Sequence, residues 1–316
     1  ADIQDASIAG CQEPLIMGKE NGNTTNSWLN LPKILEATIN DGNSLITGKK
    51  IGLSWKELGY SGLADVLAHL EDAFWKHTEY QVKEMVKAAN GCTSLIGTVS
   101  VPFCSSLMGG LESGHDMRDI KNPGTKYLGS GCLIHGLSVV ADSFLAVEKM
   151  LESGLFKPED LLKALQRDFK GYEPLQEFLL SQDKYGNNIK GIDGITAQVA
   201  IRISALIEGS RNPSGKHFCP DFSTPSTHLL YGYWVGATPD GRNARKMLGY
   251  GIDPRPGVAT KGLQERILSA RKLPFLDFIG GYASHIGLSP AQFASADTKE
   301  AKGLLLKDRI LSALFP

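Results

Sequence analysis

Segments with helical periodicity alternate along this chain with shorter, mostly uncharged segments that are rich in β-branched or aromatic residues. The longest helical pattern, from Gly62 to Asn90, spaces its apolar residues close to the period of an α-helix. Thr93 to Phe103 predicts a strand, and Lys216 to Val235 predicts buried extended structure. Helices and strands that are interspersed in this way indicate an α/β fold.

Start and stop signals predict several further helices. Proline and acidic residues favour the first turn of a helix, and glycine favours the position after its last turn. Tyr127 to Leu133 predicts one more short strand, and Thr238-Pro239-Asp240-Gly241 predicts a turn. No repeat or low-complexity linker divides residues 1–316, which we expect to form a single domain. The predicted helices are Leu31 to Asn40, Ser138 to Glu152, one that begins at Pro158, Gly194 to Glu208, and Thr298 to Leu314.

Charge and cysteine content exclude several classes of protein. Lys and Arg total 33 and Asp and Glu total 34, so nothing in the charge balance predicts a nucleic acid or an anionic membrane as a partner. Five cysteines, an odd number, argue against a secreted disulfide framework and favour a reducing cytoplasm. Ala1 to Gly10 lacks the pattern of a signal peptide. The longest uncharged stretch, Ala88 to Leu111, is too polar to cross a membrane and predicts a buried strand with its flanking loops.

The first candidate for chemistry is the segment Gly10-Cys11-Gln12-Glu13-Pro14. A cysteine can act as a nucleophile or, as a sulfur radical, can abstract a hydrogen atom. In extended backbone, residues two apart point to the same side, so Cys11 and Glu13 could share one pocket. A carboxyl group there can take or give a proton. Spacing alone does not show that Cys11 is functional, because a lone cysteine is more often a buried small hydrophobic residue.

Two other site types are weaker candidates. Cys132 and His135, and His217 and Cys219, are spaced like parts of a metal site, but no second well-spaced pair completes either set. We expect these side chains, and the thiols of Cys92 and Cys104, to be structural and to hold no metal. A hydrolase triad built on Cys11 with a histidine and an aspartate stays open, although no nucleophile signature accompanies it.

Further stretches carry a family resemblance. Gly10-Cys11-Gln12-Glu13-Pro14 is similar to the Gly-Cys-x-Glu-Pro loop of glycyl radical dehydratases and lyases. The segment from Asn30 to Glu36 resembles the helix that follows this loop in the family. Val139 to Lys149 and Val235 to Arg242 resemble two further family segments, in the same order and with similar spacing. On these residues the chain is identified as a member of the pyruvate formate-lyase family of glycyl radical enzymes.

The resemblance implies a fold and a fragment. Members form a ten-stranded α/β barrel of two half-barrels wrapped by helices, of which this chain would supply roughly the second half as a partial domain. The radical-bearing glycine would lie outside this sequence. Gly280-Gly281-Tyr282-Ala283-Ser284 resembles the glycine loop superficially but lacks its arginine, so we expect a turn and strand that wall the pocket. An incomplete barrel is expected to leave strand edges and an apolar face uncovered.

The resemblance also implies a mechanism. An S-adenosylmethionine and iron–sulfur activase would make the radical on the absent glycine, and that radical would take the hydrogen atom from Cys11. The thiyl would then abstract hydrogen from a small organic substrate while Glu13 handles the accompanying proton. Gln12 stands where pyruvate formate-lyase has a second cysteine, which favours a dehydratase, lyase or decarboxylase over a formate acetyltransferase.

The remaining implications concern the substrate wall and the partners. Residues that could line the wall, with core packing as the alternative for each, are Trp28, Phe222, Ser223, Ser226 and His228. The activase, the remaining polypeptide of the barrel and a second copy of the protein are the implied partners. A non-catalytic piece that assembles with further polypeptide is the alternative from another class.

Overall fold

The computed structural model describes residues 2–9, 13–21, 26–223, 226–287 and 289–314. Its centre is a parallel sheet in the order β3-β4-β5-β6, in which each strand lies beside the next one along the chain. Parallel neighbours need long crossover connections, and helices occupy those connections here. The sheet strands are β3 (Ser27–Asn30), β4 (Ser130–His135), β5 (Phe218–Phe222) and β6 (Gly281–Tyr282).

A separate antiparallel pair, β1 (Ala6–Ala9) and β2 (Glu13–Ile16), precedes the sheet and places Ala9 opposite Glu13. β2 also contacts β6 at the far end of the sheet. The helices are α1 (Leu31–Ile39), α2 (Trp55–Leu58), α3 (Leu63–Ala68), α4 (Leu70–Ile96), α5 (Pro102–Leu107), α6 (Gly110–Ser113), α7 (Leu137–Ser153), α8 (Pro158–Gln166), α9 (Glu173–Ser181), α10 (Lys190–Glu208), α11 (Thr227–Tyr233), α12 (Leu263–Ala270) and α13 (Lys299–Leu314).

The hydrophobic core lies between one face of the sheet and helices α1, α4, α7 and α10. Leu29, Ile134 and Phe218 point from successive strands into this core. Across the helices, the rings of Phe74 and Phe144 meet edge to face at 5.3 Å. Burying each such side chain contributes about 1.5–3 kcal/mol. Because side chains alternate along a strand, the neighbours of these residues point to the opposite face of the sheet.

Capping explains why several helices begin and end where the sequence predicts. The Oδ1 of Asn30 accepts a hydrogen bond from the amide of Lys33 at 3.3 Å and starts α1. Gly154 adopts the left-handed conformation and ends α7. The hydroxyl oxygen of Thr298 accepts from the amide of Ala301 at 3.1 Å, where α13 begins. The α/β prediction and the helices at Leu31 to Asn40 and Ser138 to Glu152 are confirmed.

The strand predicted at Thr93 to Phe103 is wrong. α4 continues to Ile96, and α5 begins at Pro102. The segment is also not buried, since the side chain of Phe103 is 77% exposed. β-branched residues cost a helix only a few tenths of a kcal/mol each, so a long preceding helix overrides that preference.

Other predictions need smaller corrections. The extended structure predicted at Lys216 to Val235 is limited to β5, and α11 follows it. The helix predicted from Gly62 is interrupted at His69, where φ is −126°. The strand predicted at Tyr127 to Leu133 begins later, at Ser130. No helix in the described part of the chain has the length and apolar character needed to span a membrane.

Candidate active site

Glu13 begins β2 and is 1% exposed, which is rare for an acidic side chain. It lies directly opposite Ala9 in the antiparallel pair. Residues 10–12, which join the two strands and include Cys11, lie outside the described residues. The predicted proximity of the Cys11 thiol to Glu13 therefore stays a prediction.

The strand register places an ordered row of residues on the face of the sheet that points away from the core. Trp28, Leu133, Asp221 and Gly281 stand side by side across the four parallel strands. Their neighbours Leu29, Ile134 and Phe222 belong to the core, so alternation assigns this row to the opposite face. We call this face, defined by Trp28, Leu133 and Asp221, the inner face.

Asp221 is the most unusual residue of the inner face. It is fully buried, and its Oδ1 accepts a hydrogen bond from the amide of Ser223 at 2.6 Å. Its Oδ2 is buried without a hydrogen-bond partner in the described part of the chain. Burial raises the pKa of Asp221 to about 7, the amide and the nearby hydroxyl group of Ser223 oppose the rise, and the nearby carboxyl group of Glu13 adds to it. The carboxyl group of Asp221 can therefore hold a proton near neutral pH.

A small cavity of about 20 Å³ adjoins this carboxyl group, which is room for about one water molecule. Gly280 closes one side of it. A Cβ built on Gly280 would lie 2.8 Å from the Cβ of Asp221, so only glycine permits this approach. The segment that superficially resembled a glycine-radical loop thus forms a turn and the short strand β6 beside the cavity, as expected. The cavity is lined by Pro14, Glu20, Asn21, Gly129, Gly131, Cys219, Asp221, Ile279 and Gly280.

An aromatic cluster stands at the carboxyl end of β3 and β4. The ring of Tyr231 lies 5.5 Å from the ring of Trp28 and 4.1 Å from that of His135. The Nε2 of His135 lies 2.9 Å from the hydroxyl oxygen of Thr227. Burial lowers the pKa of His135 to about 4, so this imidazole is neutral at physiological pH. Trp28 is 39% exposed and presents apolar surface beside the inner face.

The other residues that were predicted to line the substrate wall do not all lie on one face of the sheet. Ser223 is buried and its amide donates a hydrogen bond to Asp221, whereas its hydroxyl group has no hydrogen-bond partner among the described residues. Ser226 is exposed directly before α11, and the ring of His228 lies 4.9 Å from that of Tyr250. Phe222 points into the core, where its ring packs at 4.4 Å on Phe278. That placement favours the core-packing alternative for Phe222.

The weaker metal candidates lack ligand geometry. Cys132 points into the core and donates its thiol hydrogen to the sulfur of Met85 at 3.5 Å. Burial raises the pKa of Cys132 to about 12 and that of Cys219 to about 11, which keeps both thiols protonated. Metal ligation needs the thiolate. Within the described ranges, no group of three or more His, Cys, Asp or Glu side chains could hold a metal ion.

The segments that carried the family resemblance meet in space behind the sheet. The amide of Gly236 donates to the Oε2 of Glu36 at 2.6 Å, and the amide of Asp240 donates to the hydroxyl of Ser143 at 3.2 Å. Asp240 also forms a buried ion pair of 2.8 Å with Arg255. These contacts join the segments around Glu36, Ser143 and Gly236 into one support for the sheet.

Sequence reasoning missed Asp221. A single acidic residue in an apolar strand carries no motif, and Asp221 follows Pro220 within Phe218 to Phe222. Alternation places it opposite the core-facing Phe222, a signal that could have marked it as a candidate. Its closeness to β2, however, depends on contacts between segments about 200 residues apart, which the sequence pattern does not contain.

Comparison with known proteins provides independent information. The family model described as pyruvate formate lyase-like matches residues 1–232. The trans-4-hydroxy-L-proline dehydratase of Clostridioides difficile is 27% identical over 320 aligned positions, which cover 99% of this chain and 39% of that protein. The PFL-like enzyme TdcE of Escherichia coli is 28% identical over 300 positions, covering 93% of this chain and 35% of that protein.

A solved structure aligns over the whole chain. The glycerol-bound form of the B12-independent glycerol dehydratase from Clostridium butyricum superimposes with a TM-score of 0.85 at 27% identity. The alignment covers 100% of this chain and 39% of that one. The chain thus spans well under half the length of the relatives it matches.

Proposed function

Because this chain belongs to the pyruvate formate lyase-like family, to which the glycyl radical enzymes belong, we propose that it is part of a thiyl-radical dehydratase or lyase. The family resemblance of the sequence motifs is confirmed, and so is the α/β fold shared with part of a glycyl radical enzyme. The chain spans about 39% of the glycerol dehydratase chain, so the activity is proposed for the larger protein that includes it.

The observation that carries the proposal is the environment of Glu13. Its side chain is 1% exposed, it follows Cys11 by two residues, and it lies beside the inner face of the sheet. A radical at sulfur must be screened from water and oxygen. A buried carboxyl group next to it can take or give a proton within that screened space. Burial of Glu13 and Asp221 fits this requirement.

The proposed reaction assigns separate tasks to Cys11 and Glu13. A glycyl radical, made by an S-adenosylmethionine and iron–sulfur activase, supplies the unpaired electron when present. Cys11 then removes a hydrogen atom from the substrate carbon that bears a hydroxyl group, and the thiol is restored. Glu13 accepts the proton of that hydroxyl group as the neighbouring group leaves. At the end Cys11 returns a hydrogen atom to the product radical.

The dehydratase and lyase branch is favoured by residue 12. Gln12 occupies the position of a second cysteine in pyruvate formate-lyase, and a glutamine cannot carry an acyl group as a thioester. C–O cleavage is our first choice, because two of the relatives described above are named dehydratases. C–N, C–S and C–C cleavage belong to the same proposal. A formate acetyltransferase is the alternative, since the E. coli relative is described as PFL-like.

The substrate wall in this part of the protein is proposed to combine apolar and hydroxyl-bearing surface. Trp28 offers a partly exposed ring on the inner face, and Ser223 offers a hydroxyl group that no described residue bonds. Ser226 and His228 flank this surface at the start of α11. Phe222 supports the wall from the core side. A small, neutral, hydroxylated organic molecule fits such a surface.

Partners and location are part of the proposal. We expect an activase that installs the radical, the remaining polypeptide of the barrel, and a homodimer. We place the protein in the cytoplasm, because five cysteines without a disulfide framework suit a reducing compartment.

The test uses the full-length protein with an activase under anaerobic conditions. We expect an electron paramagnetic resonance signal of a glycyl radical, and turnover of at least one small diol or hydroxylated amino acid. Cys11→Ser and Glu13→Gln should keep the radical signal and lose turnover, while Cys104→Ser, which changes an exposed thiol, should behave as the native protein. Turnover that survives Cys11→Ser would reject the mechanism. Formate released from pyruvate and coenzyme A would assign the acetyltransferase instead.

A further inference from the structure

We propose that Asp221 is the proton partner of Glu13, so that two neighbouring carboxyl groups and one shared proton form the acid–base unit of the site. This inference rests on the proposed function for its role in catalysis. The pairing itself rests on the structure of the inner face and can be tested separately.

Asp221 lies close to β2 on the inner face of the sheet. Asp221 stands on the inner face between Leu133 of β4 and Gly281 of β6. It lines the 20 Å³ cavity together with Pro14, the residue that follows Glu13 in β2. The amide of Ser223 donates a hydrogen bond to this carboxyl group, and the second carboxyl oxygen is buried with no hydrogen-bond partner among the described residues. A buried polar atom without a partner is costly and points to a proton or a water molecule.

The described ionisable groups near Asp221 are carboxyl and thiol groups. Glu13 of β2 acts on Asp221, and Glu20 lines the same cavity. The thiols of Cys132 in β4 and Cys219 in β5 also lie near it, and β6 presents Gly281 opposite. No lysine or arginine of the described residues forms an ion pair with Asp221. A nearby carboxyl group and the absence of a paired cation both disfavour the ionised form of Asp221.

Comparison with the other buried aspartates shows that this situation is specific. Asp193 pairs with Lys272 at 2.7 Å, Asp240 with Arg255 at 2.8 Å, and Asp253 with Arg266 at 2.7 Å. Asp142 has no direct pair and its pKa is also raised, by burial and by Asp240, while the nearby Lys184 and Arg255 oppose the rise. Among the described residues, Asp221 is the buried aspartate whose ionisable neighbours are only acids and thiols, and it faces the inner side of the sheet.

The pair gives a balanced route for dehydration. Glu13 takes the proton of the hydroxyl group on the radical carbon, and the proton of Asp221 passes through a water molecule in the cavity to the departing hydroxyl group. One C–O bond breaks, one C=O bond forms, the radical moves to the adjacent carbon, and one water molecule is released. Glu13 then returns a proton to Asp221 within the pair, and no further reactant is consumed. Asp221 acts through Glu13 and the cavity as a positioning and proton-holding residue.

The pairing is tested first in the full-length protein without the radical. Infrared spectroscopy of the protonated carboxyl C=O stretch is recorded between pH 5 and 9 for the native protein, Asp221→Asn, Glu13→Gln and the exposed control Asp183→Asn. Asparagine keeps the acceptor for the Ser223 amide, so the fold should tolerate the change. Burial also raises the pKa of Asp142, to about 8, so this aspartate contributes a titrating component to all four proteins. We expect a second component that titrates near neutral pH, that Asp221→Asn removes, that Asp183→Asn leaves in place, and that titrates at lower pH in Glu13→Gln. A spectrum in which Asp221→Asn removes no component would overturn the pairing.

The catalytic role is tested with the activated enzyme. We expect Asp221→Asn to keep the glycyl radical signal, to lower kcat on the order of 100-fold with little change in KM, and to remove a pH dependence of kcat near neutrality. Asp221→Glu should restore part of kcat. Equal kcat and an unchanged pH profile would overturn the role while leaving the proposed function standing. A native enzyme that has the infrared component of Asp221 but no turnover would overturn the proposed function, and the catalytic role with it, while confirming the pair.

Discussion

Glu36 and Gly236 are separated by 200 residues in the chain, yet the amide of Gly236 donates a hydrogen bond of 2.6 Å to the Oε2 of Glu36. The other oxygen of Glu36 accepts from the amide of Leu45 at 2.7 Å and from the Nζ of Lys33 at 2.5 Å. The Glu36 carboxyl group is completely buried. It therefore holds α1, the segment after it and the segment that begins at Val235 in one arrangement.

Replacing Glu36 with leucine should destabilise the protein strongly. The change leaves two amides and the ammonium group of Lys33 without their acceptor, and breaking a buried pair in this way costs about 3–5 kcal/mol. Thermal unfolding measures the loss. Glu152→Leu removes an exposed pair with Lys149 and should change stability by less than about 1 kcal/mol. Equal effects of the two substitutions would contradict the supporting role of Glu36.

The protonation of Asp221 predicts a dependence of stability on pH. Its pKa is about 7 in the folded chain, against 3.8 for an ordinary aspartate. Between these values the folded state holds a proton that the unfolded state has released, so stability falls as pH rises from about 4 to 7. Relative to Asp221→Asn, the native protein should lose roughly 2–4 kcal/mol over this window. Denaturant unfolding of both proteins at pH 5 and pH 8 measures the difference. A difference in stability between the two proteins that is the same at both pH values would contradict the protonation of Asp221.

His77 predicts a change of the opposite sign. Its Nε2 accepts from the amide of Leu53 at 3.1 Å, so Nδ1 carries the hydrogen and faces the hydroxyl oxygen of Thr38 at 3.0 Å. Burial lowers the pKa of His77 to about 4 from 6.5. As pH falls between these values the unfolded state binds a proton first, so stability falls with acidification.

The variant His77→Gln can keep an acceptor for the Leu53 amide but cannot be protonated. Between pH 7.5 and pH 4.5, the free energy of unfolding of the native protein should fall by roughly 2–3 kcal/mol more than that of His77→Gln. Urea unfolding at the two pH values, with the variant measured in parallel, provides the comparison. Parallel losses in both proteins would mean that His77 is not the group that titrates.

Some of this structure could be predicted from the sequence, and the failures have physical causes. Helices α1 and α7 were predicted within about a residue because their limits are set by local signals, such as the Asn30 cap and Gly154. The segment Thr93 to Phe103 failed because strand propensity is weak beside the continuation of a long helix.

In the candidate site, too, one residue was predicted from a local motif and another was missed. Glu13 was predicted as a candidate because its neighbours match a family motif; the structure buries its side chain, and its catalytic role stays a prediction. Asp221 was missed because its significance depends on the register of β5 against β4 and β6, which brings it opposite Leu133 and Gly281. Alternation indicates which face Asp221 points to, but these parallel strands are joined by long crossovers, so no turn in the local sequence fixes which residues stand opposite it.

Gly280 should tolerate no side chain. A Cβ there would lie 2.8 Å from the Cβ of Asp221 and 2.9 Å from the carbonyl oxygen of Pro220. Gly280→Ala must displace β6 from β5, at a cost of about 1–3 kcal/mol, and should also disturb the titration of Asp221. Gly191, in α10, has no atom near its hypothetical Cβ, so Gly191→Ala should stabilise the protein by about 0.5–1 kcal/mol. Differential scanning calorimetry of both variants tests the contrast, and equal unfolding temperatures would contradict the close approach.

The proposal that this chain is one part of a larger barrel makes a final prediction. The segment from the end of α4 through α6 presents Leu95, Phe103 and Leu111 with 72%, 77% and 81% of their surfaces exposed. Among the described residues, β3 and β6 are the edges of the parallel sheet. Uncovered apolar surface and free strand edges promote association.

The chain of residues 1–316, produced alone, should therefore bind an apolar fluorescent dye and scatter light as its concentration rises, whereas the full-length protein should do neither. Phe103→Ser combined with Leu111→Ser should reduce the association of the isolated chain, and Leu155→Ser, at an exposed apolar residue elsewhere on the surface, should not. An isolated chain that stays monomeric and binds no dye would show that this surface needs no covering, and the larger-barrel proposal would lose its support from the structure.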